Sequence, residues 1–302
     1  MGHTSYSYSD RSERSVASGY HTKHVDAIFK QNVEKRIHES MEPSKALLRE
    51  ARDSAAHPNT VPIILALDVT GSMGRIPHDM VKNGLPHMMS SMIQNGVKDA
   101  TLLFLAVGDH TCDSAPLQVG QFESGDAELD TWLTRTWLEG RGGANEGESY
   151  SLAHYFAAFH TSIDSFEKRG KKGFLFTIGD EPSINNIPAN VIKEIMGDGA
   201  QKNFTDHELL EAARKKYHVF HLHVLETSSG SSRDSLEYWQ QLMGDHRIPV
   251  IDSHDIPSII SETVIRVCKE EGRLNNPVIT INEPDSNVSS VKPSVTDDQI
   301  LL

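Results

Sequence analysis

VPIILALDVTGSMG, residues 61–74, joins an unbroken apolar run to a polar, glycine-containing turn. The run is rich in Val, Ile and Leu and lacks alternation, the pattern of a strand buried on both faces. It is far too short to span a bilayer. The turn that follows places Asp68, Thr70 and Ser72 at every second position, with Gly71 free to bend the backbone between them.

The same strand signature returns along the chain, at ATLLFLAV (100–107), GFLFTI (173–178), HVFHLHVL (218–225) and IPVI (248–251). Helical patterning separates the runs, at 76–94, 126–138, 149–163, 188–196, 205–216, 233–243 and 256–270. Gly84 and Pro86 are expected to kink or break the first of these. LQVGQF (117–122) alternates and reads as an edge strand. Strands alternating with helices imply an α/β fold, doubly wound, with a mostly parallel central sheet and helices on both faces.

Four stretches follow: 1–23, a disordered or loosely held arm; 24–59, a helical N-terminal extension; 60–271, the α/β domain; and 272–302, a flexible C-terminal tail in which VITIN (278–282) could add a strand.

Composition narrows the function. The 302 residues carry a formal net charge of −13, which argues against nucleic-acid binding, where clustered Lys and Arg must replace counterions. The start, MGHTSYSYSDRSERS, has no apolar segment of a secretory signal. Two cysteines, Cys112 and Cys268, are too few for a disulfide framework or a thiolate zinc site. A cytoplasmic protein without a membrane role is expected.

In open α/β sheets ligands bind beyond the carboxyl ends of the strands. There the sequence puts Asp68, Thr70 and Ser72 after one strand and Asp180 and Glu181 after another. The glycine-rich loop GRGGANEGES (140–149) carries Asn145, Glu146 and Glu148, and AVGDHTCD (106–113) carries Asp109. Hard oxygen donors of this kind suit Mg²⁺, which wants six oxygens and keeps several waters. An ordinary turn uses the same residue types, and for Asp180 the alternative to the metal role is an N-cap of the next short helix.

These loops resemble the von Willebrand factor A domain with its metal-ion-dependent adhesion site. Residues 68–73 match the Asp-x-Thr-Gly-Ser-Met form found in intracellular members. Gly108-Asp109-His110 and the stretch from Gly142 to Glu148 are similar to an Arg-Asp-His strand end and a Gly-Gly-Gly-Asp-x-Pro-Glu loop of one branch. The resemblance covers roughly residues 60–270 in element order and is sharp only at the loops. It implies a non-catalytic protein-interaction module, serving as a scaffold in a larger assembly. A divalent cation, Mg²⁺ first and Mn²⁺ or Ca²⁺ as alternatives, would be held by Asp68, Thr70, Ser72, Asp180 and Glu148. That cation would coordinate an Asp or Glu of a protein partner. Asn145, Asp109, Glu181 and Gly71 are expected around the ion or on the partner-facing rim.

The chain departs from the family at Ala144, which aligns with a second-loop threonine and cannot ligate. Glu148 or Asn145 is left to substitute. The competing reading is a Mg²⁺-dependent phosphohydrolase with Asp68 as nucleophile, but Thr70 stands where such enzymes carry a general acid. His218, His221 and His223 form a tempting cluster, read as hydrogen-bonded histidines packed beneath a helix, with zinc as the alternative. Oligomeric state is not legible.

Overall fold

The central sheet is ordered by its apolar runs. The structure, a computed structural model, describes residues 5–19, 22–80, 84–140, 147–197 and 202–275. Its strands are β1 (Arg49–Ala51), β2 (Val61–Asp68), β3 (Ala100–Val107), β4 (Leu117–Val119) and β5 (Thr161–Ile163). There follow β6 (Gly173–Gly179), β7 (Asn186–Ile187), β8 (Phe204–Thr205), β9 (Tyr217–Val224) and β10 (Arg247–Val250). Six form one sheet in the order β10-β9-β6-β2-β3-β4, parallel except for the antiparallel edge strand β4. This is the expected doubly wound α/β architecture, compatible with the von Willebrand factor A resemblance.

Both faces are covered. On β2, Ile63 and Leu65 join a core with Met88, Leu129 and Ile260 from the helices Leu85–Gln94, Asp126–Thr134 and Ile256–Glu270. Ile64 and Ala66 point the other way, toward Phe156, Leu209 and Trp239 of the helices Tyr150–Phe159, Asp206–Arg214 and Arg233–Met243. Period-two alternation on a strand buried on both sides explains why the run shows no polar position.

Chain order positions the site. From β2 the chain crosses to β3 on one side, and β6, β9 and β10 build the other side. Leu67 pairs with Ile178, so Asp68 ends β2 directly beside the end of β6. That pair of strand ends is the switch point where open α/β sheets bind ligands.

The N-terminal stretches depart from expectation. Residues 1–23 are not simply a loose arm, because Tyr8–Ser18 is a helix. Ser7 accepts a hydrogen bond from the amide of Asp10, and Gly19 closes the helix at φ 68°. Arg11, 1% exposed, pairs with Asp130, and Arg14 with Asp126 at 3.0 Å. An ionic anchor leaves no apolar periodicity to read. Within 24–59 the helical content is two four-residue helices, Val25–Ile28 and Gln31–Glu34, and two 3₁₀ turns. It ends in β1, which pairs in parallel with β5.

Of the expected helix over 76–94, Ile76–Asp79 and Leu85–Gln94 are α-helical, and 81–83 lie outside the described residues. Most of the expected tail, including 278–282, lies outside the described residues. No described helix is long and apolar enough to cross a membrane.

Candidate metal centre

Asp68 closes β2 and the backbone then folds tightly over it. The Thr70 amide and hydroxyl both donate to Asp68 Oδ1, at 2.8 and 2.6 Å. Residues Gly71–Met73 form a 3₁₀ turn that swings Ser72 back over the strand ends. Thr70 Oγ1 and Ser72 Oγ are 3.4 Å apart, and Ser72 Oγ donates to Asp180 Oδ1 at 2.9 Å. Two carboxylates and two hydroxyls from loops far apart in sequence therefore form one continuous chain of oxygens. Asp68 and Asp180 are fully buried and Thr70 is 4% exposed. Gly71 lies at the surface of this turn.

The pair of acids is under electrostatic tension. Burial, then the negative charge of Asp180, pushes the Asp68 carboxyl well above its ordinary range, against the hydrogen bonds from Thr70 and Tyr150. Burial also raises Asp180, opposed by hydroxyls of Thr227 and Ser72. Asp180 Oδ2 is buried with no hydrogen-bond partner. A buried oxygen of this kind is costly unless something satisfies it. A hard cation among carboxylate and hydroxyl oxygens would do so, and the donor chemistry fits Mg²⁺.

Glu148 stands apart from these four. Its backbone bridges to the loop after β6, donating to Pro182 O at 2.8 Å and accepting from Ile184 N at 2.9 Å. Its carboxyl is 3% exposed, makes no hydrogen bond to the oxygen chain, and leaves Oε2 unpartnered. It is still close enough to be felt: burial, then Asp68, Glu181, Asp113 and Asp109, raises it strongly. Among the described residues no three Asp, Glu, His or Cys side chains gather to hold an ion. The convergent set is thus two carboxylates plus two hydroxyls.

Asp109 is engaged by its own loop, accepting from Thr111 N at 2.7 Å, Thr111 Oγ1 at 2.8 Å and Cys112 Sγ at 2.9 Å. Glu181 faces the loop after β9, accepting from Ser229 Oγ at 3.2 Å, while its carbonyl accepts from Trp239 Nε1 at 2.9 Å. Asn145 lies outside the described residues.

No family model matches this chain, and no curated protein matches it. Among solved structures it is similar to the pilus adhesin SpaC from Lactobacillus rhamnosus GG in its open conformation, at 9% identity and TM-score 0.47, covering 72% of this chain and 31% of that one. It is also similar to the conserved hypothetical protein BatB from Bacteroides thetaiotaomicron, at 16% identity and TM-score 0.41, covering 69% and 99%. A third likeness is to proximal thread matrix protein 1 from the mussel byssus, at 12% identity and TM-score 0.44, covering 68% and 47%. The chain spans about a third of the adhesin's length. These are likenesses of overall shape, and the functional reading stands on the residues alone.

Sequence reasoning missed three contributors. Tyr150 opens the helix after the second loop and donates to Asp68 Oδ2 at 2.8 Å. Gly179 makes that approach feasible, since a Cβ there would lie 1.7 Å from the phenol oxygen. The Thr227 hydroxyl, after β9, works against the burial that raises Asp180. A glycine inside an apolar strand was the available signal, because it often marks a close approach. Tyr150→Phe should leave Asp68 Oδ2 unpaired and cost about 1–3 kcal/mol in denaturant unfolding. An unchanged midpoint would mean that the phenol is not holding the carboxylate.

The histidines do not gather as a zinc site. His221 shares a 2.9 Å hydrogen bond with Thr177 and stacks on Trp239 at 3.4 Å. His223 accepts from Arg247 at 2.9 Å, and His218 pairs with Glu271 at 2.9 Å. At the opposite end of the sheet, Ser124, His57 and Asp99 line up in a Ser–His–Asp order, at 3.1 and 3.4 Å. Ser124 is 2% exposed, so its hydroxyl is closed to a substrate and serves packing.

Proposed function

We propose that the chain is a von Willebrand factor A-type interaction module. In this reading Asp68, Thr70, Ser72 and Asp180 hold a divalent cation, Mg²⁺ first and Mn²⁺ or Ca²⁺ as alternatives, that coordinates an Asp or Glu of a protein partner. The supporting observation is the oxygen chain from Asp68 to Asp180, with one carboxylate oxygen buried and unsatisfied. Two neighbouring buried acids cost several kcal/mol of desolvation and repulsion, which a divalent ion offsets. When bound, the ion supplies exchangeable water positions that an anionic oxygen can take. The hydroxyls of Thr70 and Ser72 add donors without charge, so the site keeps attraction for a carboxylate.

A phosphohydrolase reading gains nothing from the geometry. Asp68 is fully buried, and both of its oxygens accept hydrogen bonds, from Thr70 and Tyr150. A nucleophile must instead reach a phosphorus atom. Titration calorimetry with Mg²⁺ and Mn²⁺ on the wild type and Asp68→Ala tests the proposal. Cation uptake by the wild type alone is expected, and equal uptake by both would remove it.

The same site sets a pH dependence. In chelator the fold keeps a proton on Glu148, pushed up to about 10, and holds Asp68 up at about 7, where the unfolded carboxyls have ionised. The native state then binds more protons, so stability falls as pH rises. One retained proton is worth about 2 kcal/mol between pH 6.5 and 8. The buried His154 and His221, whose pKa values are depressed by burial, act in the opposite sense, but only below about pH 6.5, where unfolded imidazoles take up protons. Urea unfolding at the two pH values should show the decline in chelator and its flattening in saturating Mg²⁺. Equal stability at both pH values in chelator would contradict it.

A further inference from the structure

Beside the metal loop lies a cleft of about 660 Å³ with an unusual charge balance. Thr70 and Gly71 form one end of it. Lys23, His24, Arg75 and His78 line its walls, with Val25, Pro77 and Leu138 supplying apolar surface. The chain has 42 Asp and Glu, yet among the described residues none lines this cleft. His24 and His78 already have acidic neighbours, at 3.3 and 3.2 Å. Lys23 and Arg75 are exposed and make no ion pair among the described residues.

The wall is built rather than incidental. Arg75 begins the helix that follows the metal loop, so its place is tied to Ser72. Lys23 belongs to the N-terminal segment, which Arg11 and Arg14 fasten to the domain through Asp130 and Asp126. Asn32 ties that segment to the far wall, accepting from the Leu138 amide at 2.9 Å. The N-terminal extension thereby carries one positive charge to the rim of the oxygen chain, and the metal loop carries the other.

We propose that this cleft seats an acidic peptide segment of the partner, one carboxylate directed to the metal loop and a second acidic side chain lying between Lys23 and Arg75. The assignment rests on the cation reading above and adds to it the chemistry of the flanking sequence. One carboxylate on an ion selects little, because every surface offers them. Two unpaired cations at the rim of a mixed apolar and polar cleft select a run of acids interspersed with apolar residues, and do so through long-range attraction as well as contact.

The test uses the full chain and a fluorescein-labelled twelve-residue peptide of Asp, Glu and Leu, with an Asn/Gln/Leu peptide as control. Anisotropy is measured in Mn²⁺, and calorimetric Mn²⁺ uptake is measured in parallel on each variant. The acidic peptide should bind the wild type and the amide peptide should not. Lys23→Glu/Arg75→Glu should weaken the acidic peptide about tenfold or more and flatten its salt dependence, with Mn²⁺ uptake intact. Undiminished peptide binding by that variant, or equal binding of the amide peptide, would overturn the proposal while leaving the cation reading standing. Absence of Mn²⁺ uptake by the wild type would instead remove the cation reading itself. Cation-dependent self-association that blocks the peptide would give the cleft to a second copy and likewise overturn the proposal.

Discussion

Asp180→Asn is expected to make the chain more stable than the wild type in chelator at pH 8 and insensitive to Mg²⁺. Asparagine keeps the shape of the side chain and can still accept from Ser72, which donates to Asp180 at 2.9 Å. It removes the negative charge that, after burial, is the main influence raising Asp68. Relief of that repulsion favours the cation-free fold. The same change removes one of the two carboxylates that would hold the ion. In the wild type, Mg²⁺ at a hundredfold excess over its dissociation constant should add about 2.7 kcal/mol. For a domain of this size that is a rise in melting temperature of roughly 5–10 °C. Scanning calorimetry with and without Mg²⁺ reads both effects at once. A variant that gains as much from Mg²⁺ as the wild type would take Asp180 out of the site.

Gly179→Ala should be strongly destabilising. The added Cβ would lie 1.7 Å from the Tyr150 phenol oxygen, 2.6 Å from its Cζ and 3.0 Å from Asp68 Oδ2. The ring has little room to yield, since it is fully buried and packed edge-on against Trp239 and His221 at 5.4 Å. Overpacking of this severity costs about 3 kcal/mol or more. The urea midpoint should fall with the slope unchanged, and the melting temperature should drop by roughly 6–12 °C. Adding Tyr150→Phe removes the oxygen and should restore part of the loss, while the remaining ring carbon keeps the rescue incomplete. Purely additive losses would show that the two residues do not meet.

What could be read beforehand follows from how far each signal reaches. Asp68, Thr70 and Ser72 lie on one turn, so their spacing alone carries their geometry. Asp180 was accessible because it directly follows an apolar run and sheets of this class bind at strand ends. Tyr150 and Thr227 were not, because their reach depends on which strands are neighbours and which way each side chain points. Glu148 shows the limit from the other side: the loop was identified, but its backbone pairs with Ser183 and its carboxyl makes no hydrogen bond to the oxygen chain. The helix Tyr8–Ser18 was missed because arginines, not an apolar stripe, fasten it. The three-residue strands β1 and β5 are too short to leave a periodicity.

The pairing of β1 with β5 also orders events during synthesis. Arg49 finds its partner at Thr161, and His160 supplies the carbonyl that receives the Arg49 amide at 2.8 Å. At 5–20 residues per second, the ribosome delivers that partner on the order of ten seconds after β1 has been made. Arg11 waits likewise for Asp130. Arg11, Asn32 and Arg49 are therefore made well before the residues that hold them, and the basic wall of the cleft is assembled only after the strand that carries Asp68 has been made.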